Sequence, residues 1–561
     1  MPIVINSTVF RKYRLLNKVS LLFHTVRYLK PIQIYWRLYF RLYRKHTHNK
    51  CIQSLTTNDF KLVEVNSRPV SFDGCHFVFL NHSLEFTTTV NWNDLRRSKL
   101  WLYNLHYFDY IQQQDIEQQA CINIIFQWVE DNPAFDGNGW EPYPLSLRIV
   151  NWIKFLQRVK VDDTTSRHIL DSLYLQVRSL RRQLEFHLLG NHLFKNAVAL
   201  LFAGYFFSGR EAHEWYKKGK AILLDQLKEQ VLADGGHYER SPMYHALILE
   251  DILDCLNLVK SNRHMGDHAF VDLLETKACA MLSFIEDIAH PDQTLPTFND
   301  TSQGISSTLE QLTSYAQRLH LKWQKELSPL IEKSEFGLFI LKNDQIHCII
   351  DAGKIGPDYL PGHAHCDTLS YELSIKGYRV VVNAGVFQYA GEERNLYRAT
   401  RSHNTVEIDH AEQHEIWSTF RVARRGYPCN VSVKCSNDEL FFSGQHTGYQ
   451  RLKGKPIHQR DIRVADKTMS VVDRVLGNGE HSAKSFIHLH PDVVIIESMR
   501  DQLTLGIKGS VFSLRIPDNS DWFVRDYEYS PEFGLKKKSK IVTISSKGAC
   551  EISISYCFEV N

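Results

Sequence analysis

Hydrophobic and polar positions change period once along this chain. Between about residues 100 and 325, apolar residues recur at helical spacing, as in Ile122–Val129, Leu145–Leu156, Ile169–Leu188, Leu193–Phe207 and Met243–Val259. Breakers such as Asp136-Gly137-Asn138-Gly139 and Asp234-Gly235-Gly236 separate these runs. Helices joined by short loops stack as antiparallel pairs, which predicts a bundle or a toroid. From about residue 335 the period becomes two, in short runs such as Phe339-Ile340-Leu341, Met469–Val472, Val493–Ile496 and Ile541–Ile544. That pattern predicts an antiparallel β-sandwich. The switch falls between Lys322 and Phe336, and residues 51–100 read as a connecting segment. The expected organisation is therefore α+β and multidomain, with a helical segment over 1–50, a helical domain over 51–330 and a sandwich over 331–561.

The N-terminal segment stands apart in charge. Residues 1–50 hold eleven of the 66 Lys and Arg and none of the 63 Asp and Glu, so the rest of the chain is net acidic. Tyr35, Leu38, Tyr39 and Leu42 fall at i, i+3, i+4 and i+7, the spacing of an amphipathic helix. Such a segment can lie on an anionic membrane surface or pack on the body with its basic groups in water. No apolar run approaches bilayer length, and no secretory signal pattern is recognised. The expectation is a cytoplasmic protein or one peripheral to the inner membrane, with the periplasm as runner-up. A hydrophobic content of 43% and a charged content of 23% describe a globular protein. Eleven scattered cysteines without a C-x-x-C pair argue against a disulfide scaffold or zinc finger. Basic residues clustered only at the N-terminus, with no recognised motif, argue against nucleic acid as partner.

Chemistry concentrates between Gly362 and Thr405. His363, His365 and Asp367 alternate, so on a strand they would share one face. The run continues through Leu369, Tyr371 and Leu373, turns at Lys376-Gly377, and returns through Val380–Val382 to Asn383, with Tyr389 and His403 beyond. Imidazoles and a carboxylate so placed can bind a metal or transfer protons. Two pieces of the helical half complement it, Gly190–Asn196 and Asp234–His245. In the second, Ser241 is a natural N-cap and Pro242 suits the first helical position. Tyr244 then lies in the first turn, where the helix dipole favours a phenolate.

These pieces occur in a telling order: W-E-P-Y-P-L-S-L-R at 140–148, G-N-H-L at 190–193, E-R-S-P-M-Y-H at 239–245, G-H-A-H-C-D at 362–367 and S-H-N-T at 402–405. Over most of residues 100–500 the chain resembles the heparinase II/III family of polysaccharide lyases and the related alginate lyases. The resemblance implies an N-terminal (α/α) toroid followed by a C-terminal antiparallel β-sandwich. It implies β-elimination on a uronic-acid polysaccharide, an anionic partner, with the cell's own capsule, O-antigen or exopolysaccharide as one context. By the same resemblance Asn191, with His192 nearby, would bond the uronate carboxylate, and Tyr244 and His363 would be acid and base. Tyr389, Arg148 and Trp140 would line the substrate groove. The family's structural divalent metal, zinc or calcium, would sit on His365, Asn383 and His403. Asn383 departs from the usual carboxylate, and Asp367 is near enough in sequence to compensate.

Two rivals remain at this point. A glycoside hydrolase needs two carboxylates flanking the bond, and Asp234, Glu239, Glu250 and Asp251 are candidates. A non-catalytic polysaccharide-binding or assembly factor would keep the fold without the reaction. Retention of Asn191, Tyr244 and His363 favours the lyase.

Overall fold

The computed structural model describes residues 18–42, 55–59, 61–86, 89–159, 161–262 and 267–561. The parts of the N-terminal expectation that fall on residues 1–17 and 43–54 lie outside these. Residues 18–26 are helical and a second helix spans Pro31–Leu42. The poorly patterned connecting segment holds a two-stranded hairpin, His76–Phe79 with His82–Glu85.

The helical half runs through Gln118–Asp131, Pro142–Arg158, Asp163–Arg182, Gly190–Phe206, Arg210–Gln230, Pro242–Ser261 and His268–Ile288. The predicted run Ile169–Leu188 stops at Arg182, and the chain then passes through a short irregular stretch into Gly190. Helices Gly190–Phe206 and Arg210–Gln230 pack backbone to backbone. A Cβ at Gly204 would lie 2.6 Å from the backbone nitrogen of Tyr216, and one at Gly219 2.8 Å from the Ala197 carbonyl oxygen. Only glycine permits that approach. The apolar faces merge into one core containing Trp128, Trp152, Leu200, Leu253 and Leu282.

The last helix of this half ends at Arg318 and the first strand of the β half begins at Leu330. Five consecutive strands from Leu330–Lys333 to Tyr378–Val381 form an antiparallel meander. An eight-stranded sheet is built around Ile457–Ala465, Thr468–Leu476 and Ile552–Val560, and a four-stranded sheet around Lys537–Ala549 and Glu480–His488. Strands with one buried face alternate residue by residue, as in Thr468–Leu476. Inward side chains of all three sheets share a second core, including Leu341, Val381, Val471, Ile487 and Phe558.

A third, smaller core stitches the halves together. Phe284, Ile288 and Phe298 from the helical side pack on Ile331, Phe336, Leu338, Ile340 and Ile349. The Phe336 N–H also donates to Asp234 at 2.7 Å. The candidate site lies along this seam.

Candidate active site

Helix Pro242–Ser261 begins as its sequence predicts. Ser241 accepts the Tyr244 N–H at 3.2 Å, and Pro242 occupies the first helical position. This fixes Tyr244 in the first turn, with its ring stacked on His363 at a centroid distance of 3.9 Å. Its hydroxyl meets the Tyr389 hydroxyl at 3.3 Å. Burial, reinforced by Tyr389, Asp300 and Glu239, pushes the Tyr244 phenol well above its ordinary value. The helix dipole therefore does not prevail here, and Tyr244 holds its proton. His245 points away and bonds the Met281 carbonyl at 3.0 Å.

Helix Gly190–Phe206 has Leu189 at its cap position and no capping side chain of its own. Glu239 does that work from outside: its carboxylate accepts the Asn191 N–H at 2.8 Å and the Asn191 Nδ2 at 2.9 Å. An anion at a helix N-terminus is favoured by the exposed N–H groups and the dipole. The same carboxylate lies 3.3 Å from His363 Nε2. Asn191 is 3% exposed. His192 beside it is more open and bonds Glu185 at 3.0 Å with Tyr143 at 4.4 Å. Burial opposes its charge, but Glu185 outweighs burial and raises its pKa.

The expected strand face does not exist. Residues 361–370 form loops, and the strand starts only at Tyr371. His363 and His365 converge instead on Asp300, which sequence reasoning missed. His363 Nδ1 and His365 Nε2 each meet a separate Asp300 oxygen at 2.9 Å. Arg394 closes the set with two donors to that carboxylate, one at 2.8 Å. Burial alone would raise the Asp300 carboxyl, yet Arg394 and the two imidazoles hold it well below the usual carboxylate range. Arg394 and Arg398 are thus spoken for and buried, not presented to a ligand. The Lys376-Gly377 turn and return strand are where the sequence places them.

Behind Asp300 lies a second cluster. Ligand atoms of His365, Asp367 and His403 all fall within 4.8 Å of one another. His365 Nδ1 and His403 Nε2 are buried without a hydrogen-bond partner, so the chemistry of both nitrogens fits a metal ligand. Burial pushes the His365 pKa down to about 4 and that of His403 well below its ordinary value, so both imidazoles are neutral donors. Two imidazoles and a carboxylate suit zinc better than calcium. Asn383 is engaged within the protein. Its Oδ1 accepts from Ser370 Oγ at 2.8 Å and meets His403 Nδ1 at 3.1 Å, while its Nδ2 faces Glu372. It orients His403, and Asp367 is the carboxylate grouped with the two imidazoles.

Trp140 and Arg148 leave the groove altogether. Arg148 is fully buried; it lies over the Trp128 ring at 3.8 Å and donates to Gly139 and His106 carbonyls and to Gln176. Trp140 packs on Phe135 and Trp128. Both are core residues of the helical half. Tyr389 does reach the site, flanked by Phe420 and Phe533. Each of the four hydrolase candidates is already engaged, Glu239 by the Asn191 N–H and side-chain amide. Glu250 pairs with Arg68, Asp251 with Lys195, and Asp234 holds backbone N–H groups.

Helical hairpins leading into an antiparallel sandwich define a fold shared with heparinase III. The crystal structure of that protein matches with a TM-score of 0.69 over 86% of this chain and 81% of its own, at 18% identity. The chain belongs to the heparinase II/III-like family: the Heparinase II/III N-terminus profile matches residues 79–323 and the Heparinase II/III-like, C-terminal profile residues 326–556. A heparin-sulfate lyase of Bacteroides stercoris is 26% identical over 339 residues, covering 54% of this chain and 45% of that protein. A heparin-sulfate lyase of Pedobacter heparinus is 29% identical over 245 residues, covering 39% and 36%. The chain therefore matches less than half the length of these curated relatives.

Proposed function

We propose that this chain is a polysaccharide lyase that cleaves a uronic-acid polymer by β-elimination. The observation that carries the reading is the stacked Tyr244–His363 pair, 3.9 Å between centroids, beside Asn191 and the raised His192. Elimination removes the weakly acidic C5 proton while the C4 oxygen leaves, and it runs faster when the adjacent carboxylate is neutralised. Asn191 and His192 are the donors for that carboxylate. Glu239 now occupies the Asn191 amide, so substrate binding displaces it or bonds alongside it.

The phenol of Tyr244, held neutral, is suited to give its proton to the leaving C4 oxygen. Asp300 fixes His363 through Nδ1, and Nε2, which faces the Glu239 carboxylate at 3.3 Å, accepts the C5 proton once substrate has displaced that carboxylate. Tyr389, hydrogen-bonded to Tyr244, steadies the donor. A zinc ion on His365, Asp367 and His403 would brace the loops below this pair; the proton transfers themselves need only the side chains named.

The test is an ultraviolet assay of the purified chain against a panel of uronic-acid polymers. Elimination creates a conjugated 4,5-unsaturated sugar whose absorbance hydrolysis cannot produce. Such a product, lost in Tyr244→Phe, supports the proposal. Reducing ends appearing without that absorbance, or polymer binding without any cleavage, overturns it.

A further inference from the structure

The N-terminal helices leave an unusual number of apolar side chains on their outward faces. Over residues 18–26 and the turn that follows, the positions facing away from the body are Lys18, Val19, Leu22, Phe23, Val26 and Arg27, with Phe23 64% exposed. The side facing the protein is polar: Ser20 accepts from Arg424, and Thr25 accepts from the Trp417 indole at 3.0 Å. The helix Pro31–Leu42 packs Gln33, Trp36 and Phe40 on the body and also leaves apolar side chains outside. Gln33 is buried against the Leu188 and Tyr359 carbonyls and Trp36 stacks on Phe186 at 5.5 Å, while Ile34, Tyr35, Leu38 and Leu42 face out. Residues 19–42 supply ten of the 23 exposed large hydrophobic side chains among the described residues, which singles this face out from the rest of the surface. A soluble domain turns such stripes inward.

Charge selects the occupant. Lys18, Arg27, Arg37 and Arg41 are exposed around the apolar stripes, and no acidic residue occurs in residues 1–50. A second copy of the same face would bring these cations against one another, as a two-fold interface must. A lipid surface with anionic headgroups answers both features, taking the apolar side chains below the headgroups and the cations among them. Among the described residues no helix is long and apolar enough to cross a membrane, so the contact is one of lying on the bilayer. We propose that residues 18–42 form a docking surface for an anionic lipid bilayer. The strap contacts both halves of the protein, Phe186 and Leu188 on one side and Trp417 and Arg424 on the other. Docking therefore holds the whole body at a fixed orientation to the bilayer.

The full chain should cosediment with phosphatidylcholine vesicles containing phosphatidylglycerol and stay in solution with phosphatidylcholine alone. Binding should weaken as salt shortens the screening length from about 10 Å toward about 3 Å. Lys18→Gln and Arg41→Gln should each weaken it by about fivefold. The double variant Phe23→Ser/Leu38→Ser should weaken it at least tenfold with an unchanged thermal melt, both side chains being solvent-facing. No cosedimentation with anionic vesicles, or undiminished binding by the double variant, overturns the proposal. So does a lipid-free dimer that the double variant abolishes, because the surface then belongs to a second copy. The salt response needs no variant, and salt-insensitive binding is equally fatal.

Discussion

Replacing Asp300 by asparagine keeps the shape of the side chain and removes the charge that holds three cations or potential cations in place. Arg394 is buried and has both guanidinium donors on this carboxylate. Breaking a buried ion pair from one side costs about 3–5 kcal/mol, chiefly because the remaining charge is left without a counter-ion. At roughly 0.8 °C per kcal/mol in a chain of this size, the melting temperature should fall by about 3–4 °C. The pH dependence follows from the sign of the shift. Asp300 titrates below its unfolded value in the native protein, so its stabilisation is fully present above about pH 4 and is lost as pH falls further. The gap between wild type and Asp300→Asn should be level from neutrality to about pH 5 and narrow below about pH 4. On the catalytic side, His363 loses the acceptor that fixes Nδ1 as its protonated nitrogen, and turnover should drop by about 10²–10⁴-fold. Melting curves across pH and the unsaturated-sugar absorbance read both quantities. A variant that melts within a degree of wild type and keeps more than a third of its turnover would refute Asp300 as the anchor of this site.

Tyr244→Phe should lower turnover at least 10³-fold while shifting stability by no more than about 1 kcal/mol, since its hydroxyl makes one 3.3 Å hydrogen bond; a melt beside the absorbance assay separates the two. Trp140→Ala should cost about 3–5 kcal/mol through the cavity it leaves, with KM for polymer unmoved in whatever fraction stays folded. Asp367→Asn should weaken zinc uptake, measured by elemental analysis after dialysis, by at least tenfold. Asn383→Asp should not strengthen it, because the new carboxylate would face Glu372.

The change of period from helix to strand was legible because each half buries one face of regular elements, and burial writes that period into the sequence. Tyr244 was legible for a local reason: Ser241 and Pro242 mark a helix start within three residues. Asp300 was not. It sits in a Phe-Asn-Asp-Thr stretch without period or motif, and its partners lie 63, 65 and 94 residues away. Trp140 and Arg148 misled for the converse reason. An arginine and a tryptophan near one another suit a sugar groove, and equally a buried cation held over Trp128; exposure decides, and the sequence does not record it. His363 and His365 have strand-like alternation, but Pro361-Gly362 and the bonds to Asp300 keep that segment irregular, so the two imidazoles meet through a shared carboxylate.

The seam of Phe284, Ile288 and Phe298 against Ile331, Phe336 and Leu338 has a further meaning for how this protein fails. Tyr244, Asn191 and Asp300 belong to one half and His363 and Tyr389 to the other, so neither half carries the proposed site by itself. Each half also has a large core of its own, so activity lost on heating before helix and strand signals fall is the expected sign of the halves parting, with the Asp300 bonds to Arg394, His363 and His365 breaking as the seam opens. Heat would then disable the protein in two stages, first as two intact bodies drifting out of register and only later as unfolded chain. The first stage is recoverable on cooling, because nothing has to refold for the two faces to meet again.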